Sequence, residues 1–445
     1  MNIADDSLYG GENVILITID SLRADHTSCL GYHRKTTPNI DNIAKEGILF
    51  SQAIANGHCT ATSFLSILTS TYPLLYRDSS VKYLTPISKQ RILISEILKK
   101  KGFNTAAFTS APYLSKVYGY SRGFDSFEDC LDILNKDKNS LNLNKDKKVN
   151  TIKQKIKNFL IKSNTIYNIV QHVYNVFFPR ESDYPSADMI NQRAISWLRK
   201  QSRSNFFLWI HYMDVHYPYL PPRKYLQKFR SKSISRGEML RLQELELKQD
   251  AEKISNDDLQ KIIDLYDGGI LYVDDKLREL IDEIKEMGIY ENIFVIITAD
   301  HGDEFKDHGG MSHHAKFYEE LIHIPLIIRG PGINSGIIID DPVSQLDIAP
   351  TILDLLNIQE VEDFQGNSLV PIMNGLKTIK SKGIISETLQ NKGKMTLDGK
   401  GYRLTSYRTN GWKYILNEEN GQRELYNIQA DPKEKRNLYP IFRTS

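Results

Sequence analysis

At 445 residues, with 40% hydrophobic side chains and a formal charge of +2, the chain suffices for one large domain plus an appendage and carries no global bias toward nucleic acid or a membrane surface. Its three cysteines, Cys29, Cys59 and Cys130, are too few and too scattered for a disulfide framework, and they form no paired zinc-binding spacing. The acidic start, Met1-Asn2-Ile3-Ala4-Asp5-Asp6, does not read as a secretory signal, and no run approaches the ~20 apolar residues of a membrane span. A soluble, cytoplasmic protein without a nucleic-acid partner or transmembrane segment is expected.

The first apolar run, Val14-Ile15-Leu16-Ile17-Thr18-Ile19, reads as a strand that ends in Asp20. A short helix over 38–47, stopped by glycine, precedes a strand over 48–55. A buried helix follows over 62–69, then an amphipathic one over 92–101 with Gly102 as its C-cap. Strands are expected over 105–109, 206–212, 293–298 and 324–328, all continuously apolar, as suits a parallel sheet buried on both faces. The class is α/β.

Two stretches interrupt this rhythm. Residues 132–162 hold nine lysines and three aspartates (+9 − 3 = +6) with many asparagines, the composition of a solvated insertion. Next to it, Ile166, Ile169, Val170, Val173, Val176 and Phe177 have helical spacing and read as a cap helix packed on its own domain. The second stretch, 223–261, is charged and helix-favouring. It leads into a helix over 265–286, whose Asp274 and Asp275 read as surface charges. After Ser381 the pattern changes to short β-like pieces at 384–386, 402–407, 412–415 and 424–426, which predicts a small antiparallel sheet. The expected division is a catalytic α/β domain over 1–375, with 132–184 and 223–260 as insertions or cap, and an α+β subdomain over 376–445.

The chemistry concentrates at strand ends. Asp300-His301 closes the run Ile293-Phe294-Val295-Ile296-Ile297-Thr298 and is followed by Gly302. Side chains at the carboxyl ends of neighbouring parallel strands converge on one crevice, so Asp20, Asp300 and His301 are expected to meet as metal ligands. Seven of the 11 histidines lie between His211 and His323, in clusters such as His211-Tyr212-Met213-Asp214-Val215-His216 and His308-Gly309-Gly310-Met311-Ser312-His313-His314.

In chain order, Asp20 in VILITIDSLRADH, Thr37-Pro38-Asn39-Ile40-Asp41, ATSFLSILTSTYP, HYMDVHYPYLPP, ITADHGDEFKDHGG, YEELIHIPLIIRGPG, LDIAPTILDLL and ELYNIQADPKEKRNL together resemble the sulfatase family, within the alkaline phosphatase superfamily, over nearly the whole chain. The resemblance implies an alkaline-phosphatase-like three-layer sandwich around a mostly parallel sheet. It also implies a metal-dependent hydrolase that cleaves a sulfate or phosphate-type ester of a small molecule or glycan. One divalent metal ion is expected, with Mn²⁺, Zn²⁺, Ca²⁺ and Mg²⁺ not distinguished. Where formylglycine-forming sulfatases show Cys-x-Pro-Ser-Arg, alignment on Leu68-Thr69 puts Thr60, not Cys59, at the modified position. Ser63 matches the motif serine, but Thr62 replaces its proline and Phe64 its arginine. No formylglycine is therefore expected. Thr60 is the expected nucleophile, forming a covalent ester as in phosphate-transferring branches of the superfamily, with simple capping of the following helix as its alternative role.

His216 and His308 are the candidates for protonating the leaving group or holding the anion. His313 and His314 lie where relatives place a substrate-binding lysine, and Lys316 could supply that charge. Arg23 either neutralises substrate charge or pairs with Asp25, and His211 and His323 read as core-side or rim residues. Ser21 occupies a position where many sulfatases have a second metal aspartate. A phospho-group transferase onto a glycan or lipid hydroxyl, and a non-catalytic binder of anionic glycans, are the alternatives. Self-association is left open.

Overall fold

The computed structural model describes residues 13–74, 86–140, 184–201, 205–247, 251–359, 362–376, 383–391, 394–395 and 401–443. The cap helix expected around 166–177 lies outside the described residues, as does most of the 132–162 stretch. The strands of the main sheet are β1 (Asn13–Ile19), β2 (Ile48–Ile54), β3 (Asn104–Thr109), β4 (Ser126–Glu128), β5 (Phe206–Tyr212) and β6 (Ile293–Ala299). A two-stranded ribbon follows, β7 (Glu304–Phe305) with β8 (Met311–Ser312). The main sheet then gains β9 (His323–Arg329), β10 (Ile337–Ile339) and β11 (Val343–Ser344). Its order is β10-β2-β9-β6-β1-β5-β3-β4, with β11 also on β2. Only β9 runs antiparallel to its neighbours, β2 and β6.

All seven residues of β5 and of β6 are buried. Successive side chains point to opposite faces, so both faces of the sheet are covered. This is why these strands read as unbroken apolar runs rather than as alternation. The helices are α1 (Pro38–Lys45), α2 (Thr60–Thr69), α3 (Ile94–Lys100), α4 (Cys130–Ser140), α5 (Ala187–Leu198), α6 (Arg223–Phe229), α7 (Arg236–Leu247) and the 31-residue α8 (Asn256–Glu286), followed by shorter ones. The charged stretch expected as an insertion is thus α6, α7 and the first turns of α8. Ser255 caps α8 by accepting the Asp258 amide at 3.1 Å.

Asp274 differs from its expected place on the surface. It is fully buried and accepts the amides of Asn39 at 3.1 Å and Ile40 at 2.8 Å. A carboxylate delivered by α8 therefore satisfies the orphan N–H groups at the start of α1. Asp275 does face outward, paired with Arg278 at 3.0 Å.

The C-terminal sheet comprises β12 (Ile384–Asn391), β13 (Lys394–Met395), β14 (Tyr402–Arg408), β15 (Trp412–Asn417) and β16 (Arg423–Asn427), antiparallel in the order β13-β12-β14-β15-β16. It is stitched to the end of β2, where the Glu387 amide donates to Asn56 O at 3.0 Å and Ser386 Oγ to Ala55 O at 2.6 Å.

Candidate active site

Parallel registry builds the site. Ile19 lies beside Tyr212 of β5 on one side and Ala299 of β6 on the other, so Asp20 and Asp300 leave adjacent strands side by side. Ser21 turns the chain with φ at 59°, a left-handed conformation uncommon for a residue with a Cβ. Its amide donates to Asp300 Oδ1 at 3.1 Å and its carbonyl accepts the Tyr266 hydroxyl at 2.7 Å. Gly302 has no room for a side chain, because a Cβ there would lie 2.0 Å from Glu320 O. Gln345 Nε2 reaches the Asp300 carbonyl at 2.6 Å and its Oε1 accepts the Asn56 amide at 3.1 Å. That side chain joins the end of β6 to the chain just before α2.

Asp20, Asp300 and His301 each offer a donor atom within 4.8 Å of the others. His301 Nδ1 is 2.7 Å from Gly302 O. A carbonyl only accepts, so Nδ1 carries the proton and Nε2 presents its lone pair to Asp300 Oδ2 at 3.4 Å and Asp20 Oδ1 at 3.7 Å. Burial first, then the nearby His313, push His301 down to about 3. Burial and the neighbouring Asp20 push Asp300 well above the usual carboxylate range. Burial works the same way on Asp20, but His216, His211 and His301 outweigh it and hold that carboxyl below its ordinary value. Asp300 Oδ2 is buried without a hydrogen-bond partner. Two carboxylates and a neutral imidazole, with an orphaned oxygen turned among them, form a donor set that fits a divalent cation.

Thr60 is the first residue of α2, and Cys59 holds the N-cap position. The Thr60 hydroxyl does not cap the helix. It lies 3.4 Å from Asp20 Oδ2 and 3.4 Å from His301 Nε2. Cys59 is buried, with its sulfur 3.2 Å from Thr62 Oγ1. His211, expected as core-side or rim, is fully buried with Nδ1 3.0 Å from Thr18 Oγ1. Its Nε2 is 3.3 Å from Asp20 Oδ2 but outside hydrogen-bond geometry, an electrostatic contact rather than a directed bond.

A second arc of histidines faces the donor set. The His313 ring is centred 4.5 Å from that of His301 and 5.1 Å from that of His216. His313 Nδ1 lies 3.5 Å from Asp303 Oδ1, and Tyr219 donates its hydroxyl to Asp303 Oδ2. Burial opposes charge on His313, yet the Asp303 carboxylate prevails and raises its pKa. His216 is the opposite case: burial lowers it, and Asp20 only partly compensates. Its Nδ1 is 2.5 Å from Tyr217 O, which leaves Nε2 as a lone pair. His314 is half-buried and lowered by burial and by His313. Lys316 Nζ is committed to Glu304 Oε2 at 2.7 Å and His308 O at 3.1 Å.

Two expectations need correction. All five N–H donors of Arg23 are used, by Asp25, Asp307 and the carbonyl of Asp303, so none is left for a substrate anion. His308 binds Glu320 Oε1 through Nδ1 at 2.6 Å and Glu434 O through Nε2 at 3.1 Å, and stacks on Tyr318 at 3.6 Å. With both nitrogens engaged it holds the C-terminal subdomain and is not brought to the donor set. Sequence reasoning missed Asp303, Gln345 and the role of His211. Only the adjacency of Asp303 to Asp300-His301 could have signalled the first, and nothing local marks Gln345.

Residues 12–358 match the sulfatase family model. The chain belongs to the sulfatase family. Residues 308–442 also match a model of the N-sulphoglucosamine sulphohydrolase C-terminal region. Among curated proteins it is 24% identical over 458 residues to a sulfatase of Formosa agariphila, covering 95% of this chain and 82% of that one. It is 23% identical over 470 residues to dog arylsulfatase K, covering 97% and 80%. A phosphonate monoester hydrolase of Agrobacterium radiobacter superposes with a TM-score of 0.74 at 21% identity, covering 97% of this chain and 93% of that one. A protein solved with its substrate D-glucosamine-2-N,6-O-disulfate gives 0.71 at 17%, covering 98% and 94%. The family makes this enzyme a sulfuric or phosphoric ester hydrolase. No helix among the described residues is long and apolar enough to cross a membrane.

Proposed function

We propose that the enzyme cleaves a sulfate or phosphate-type ester through a covalent Thr60 intermediate, at a centre whose metal ligands are Asp20, Asp300 and His301. The observation that carries this reading is Thr60 Oγ1 at 3.4 Å from two of those three donors, while the Cys59 sulfur lies against Thr62. A bound divalent cation would lower the pKa of the hydroxyl and screen the negative ester. The remaining work falls to the chain itself. Asp20 Oδ2 is placed to take the hydroxyl proton, and Oγ1 then attacks sulfur or phosphorus as the bond to the alcohol oxygen breaks. His313, kept charged by Asp303, donates a proton to that oxygen, and its conjugate base activates the water that releases Thr60. His216, neutral with its Nε2 lone pair, completes the wall. His314 and Lys316 belong to the same loop, but Lys316 is spent on Glu304 and His314 is lowered by burial and by His313, so the charge offered to an anionic ester is that of His313.

The sugar disulfate bound by one structural relative supports a sulfated sugar as substrate, and the phosphonate monoester hydrolase supports phosphorus chemistry. Parallel assays of an aryl sulfate, an aryl phosphate monoester and an aryl phosphodiester, with the divalent metal varied, test the reading. At least one ester should turn over in wild type and none in Thr60→Ala. Formylglycine found at Cys59 by peptide mapping, or full activity in Thr60→Ala, would overturn it.

A further inference from the structure

Both carboxylates of the donor set are aimed by one residue that is not itself a ligand. The Ser21 amide donates to Asp300 Oδ1 at 3.1 Å, and the His301 amide shares that oxygen at 2.9 Å. With Oδ1 doubly engaged, Oδ2 is the oxygen left buried without a hydrogen-bond partner. The Ser21 hydroxyl donates to Asp20 Oδ1 at 2.9 Å. Residue 21 thus chooses which face each carboxylate turns to the site.

It can do so only in a turn that a residue with a Cβ seldom adopts, with φ at 59°. Such a backbone persists where its surroundings over-determine it. Here the holder is Tyr266, 245 positions later in α8 and fully buried. Its one oxygen bridges both flanks of the turn: it donates to Ser21 O at 2.7 Å and accepts the Arg23 amide at 3.0 Å. The ring beneath that oxygen is wedged among those of Phe305, His26 and Tyr219, at 4.8, 5.1 and 5.5 Å between centroids. The clamp is therefore rigid.

Resting on the metal centre proposed above, we infer that Tyr266 is a positioning residue for the reaction. Acting through the Ser21 turn, its hydroxyl fixes which oxygens of Asp20 and Asp300 face the cation. Without it, Ser21 relaxes toward negative φ, Asp300 Oδ1 loses one of its two amides, and Oδ2 turns away from the site. Partners behind a ligand commonly control metal affinity in this way.

Helix α8 supplies its own control. Tyr272, also buried, donates its hydroxyl to Asp188 at 2.7 Å, away from the turn. Tyr266→Phe keeps every ring contact, so both Tyr→Phe variants should stay folded with similar Tm. Titration calorimetry of the metal-free proteins with Mn²⁺ should show affinity about 10- to 100-fold weaker in Tyr266→Phe and unchanged in Tyr272→Phe. Aryl ester turnover in Tyr266→Phe should recover largely at saturating Mn²⁺, a shift that a merely structural role would not produce. In a Ser21→Gly background, where positive φ carries no steric penalty, the same Tyr266→Phe change should cost clearly less. Wild-type affinity in Tyr266→Phe, an equal cost in both backgrounds, or a Tyr266→Phe protein that does not fold would each overturn the assignment. Should wild type bind no Mn²⁺, the metal centre itself fails, and crystals of the metal-free proteins decide the positioning role separately. Loss of the left-handed turn at Ser21 in Tyr266→Phe supports it; φ still near 59° with the bond to Asp300 intact overturns it.

Discussion

Two buried charge clusters of similar composition sit in this molecule, and they are finished differently. At the subdomain junction, Lys413 is fully buried, with Nζ 2.8 Å from Glu319 Oε1, 2.7 Å from Glu434 Oε1 and 2.9 Å from Phe317 O. Arg408 adds a second cation to Glu319 at 2.9 Å, and His308 is bonded at both nitrogens. Every charge there faces an opposite one within ion-pair distance: even Glu434 Oε1, which is outside hydrogen-bond geometry, lies 2.7 Å from Lys413 Nζ. At the sheet edge, Asp300 Oδ2 and Asp303 Oδ1 are buried without hydrogen-bond partners, and His301 turns a lone pair toward two carboxylates. Buried polar groups are normally satisfied, so the difference marks the first cluster as structural and the second as a place where something from outside completes the set.

The sharpest way to break that distinction is to remove the nucleophile. Thr60→Ala should lower turnover by on the order of 10⁴-fold or more while bound metal, measured by elemental analysis, stays in place. Asp300→Asn and His301→Ala should lose metal and activity together. Unchanged metal in both ligand variants would mean that the orphaned oxygens serve some other purpose.

The histidines separate the clusters next. His313→Ala should cost about 10²- to 10⁴-fold, and more on an alkyl ester than on a nitrophenyl ester, whose leaving group needs little protonation. His308→Gln should retain most of its turnover per folded molecule, because its ring ties Glu320 to the backbone at Glu434. A His308 variant as impaired as the His313 variant, and with the same bias against alkyl esters, would return His308 to the reaction.

Lys413→Met reads the junction itself. Leaving Glu319 and Glu434 buried without their shared cation should destabilise the protein by about 3–5 kcal/mol, visible in urea unfolding. A variant with wild-type stability would show that the network carries little weight.

What the sequence made legible was local. Continuous apolar runs located β1, β5 and β6 to within a residue or so, and the rule that parallel strands converge at their carboxyl ends brought Asp20, Asp300 and His301 together. Resemblance to the sulfatase motif, aligned on Leu68-Thr69, singled out Thr60 over Cys59, and its covalent role stays a proposal. What stayed hidden depended on partners far along the chain. Arg23 was open between a substrate anion and Asp25; it does pair with Asp25, and Asp307, 284 positions away, takes the donors that the local sequence left unassigned. His308 looked catalytic until Glu434 reached it from the C-terminal subdomain. Asp274 looked exposed because nothing on its own helix reveals that α1 begins against it. Hydrophobic periodicity reports which face of an element is buried, not which distant donor or acceptor it meets there.

The smallest expected effect has opposite signs in the two clusters. Burial, then repulsion from Glu319 against the pull of Lys413, leave Glu434 at about 7, above its ordinary 4.5. Between those values the folded state holds the extra proton, so this group's contribution is fully present below pH 4.5 and is lost as pH rises through about 7. His301 is the reverse. With its pKa at about 3 against an ordinary 6.5, the unfolded state holds the extra proton between those values. Its contribution is present above pH 6.5 and is lost as pH falls through about 3. Each group is worth a slope of at most about one proton in stability against pH. In metal-free protein, urea midpoints measured from pH 4 to 8 should lose the downward limb above pH 4.5 in Glu434→Gln and the upward limb below pH 6.5 in His301→Gln. If both variants flatten the same limb, the contrast between a completed cluster and an open one does not extend to their protons.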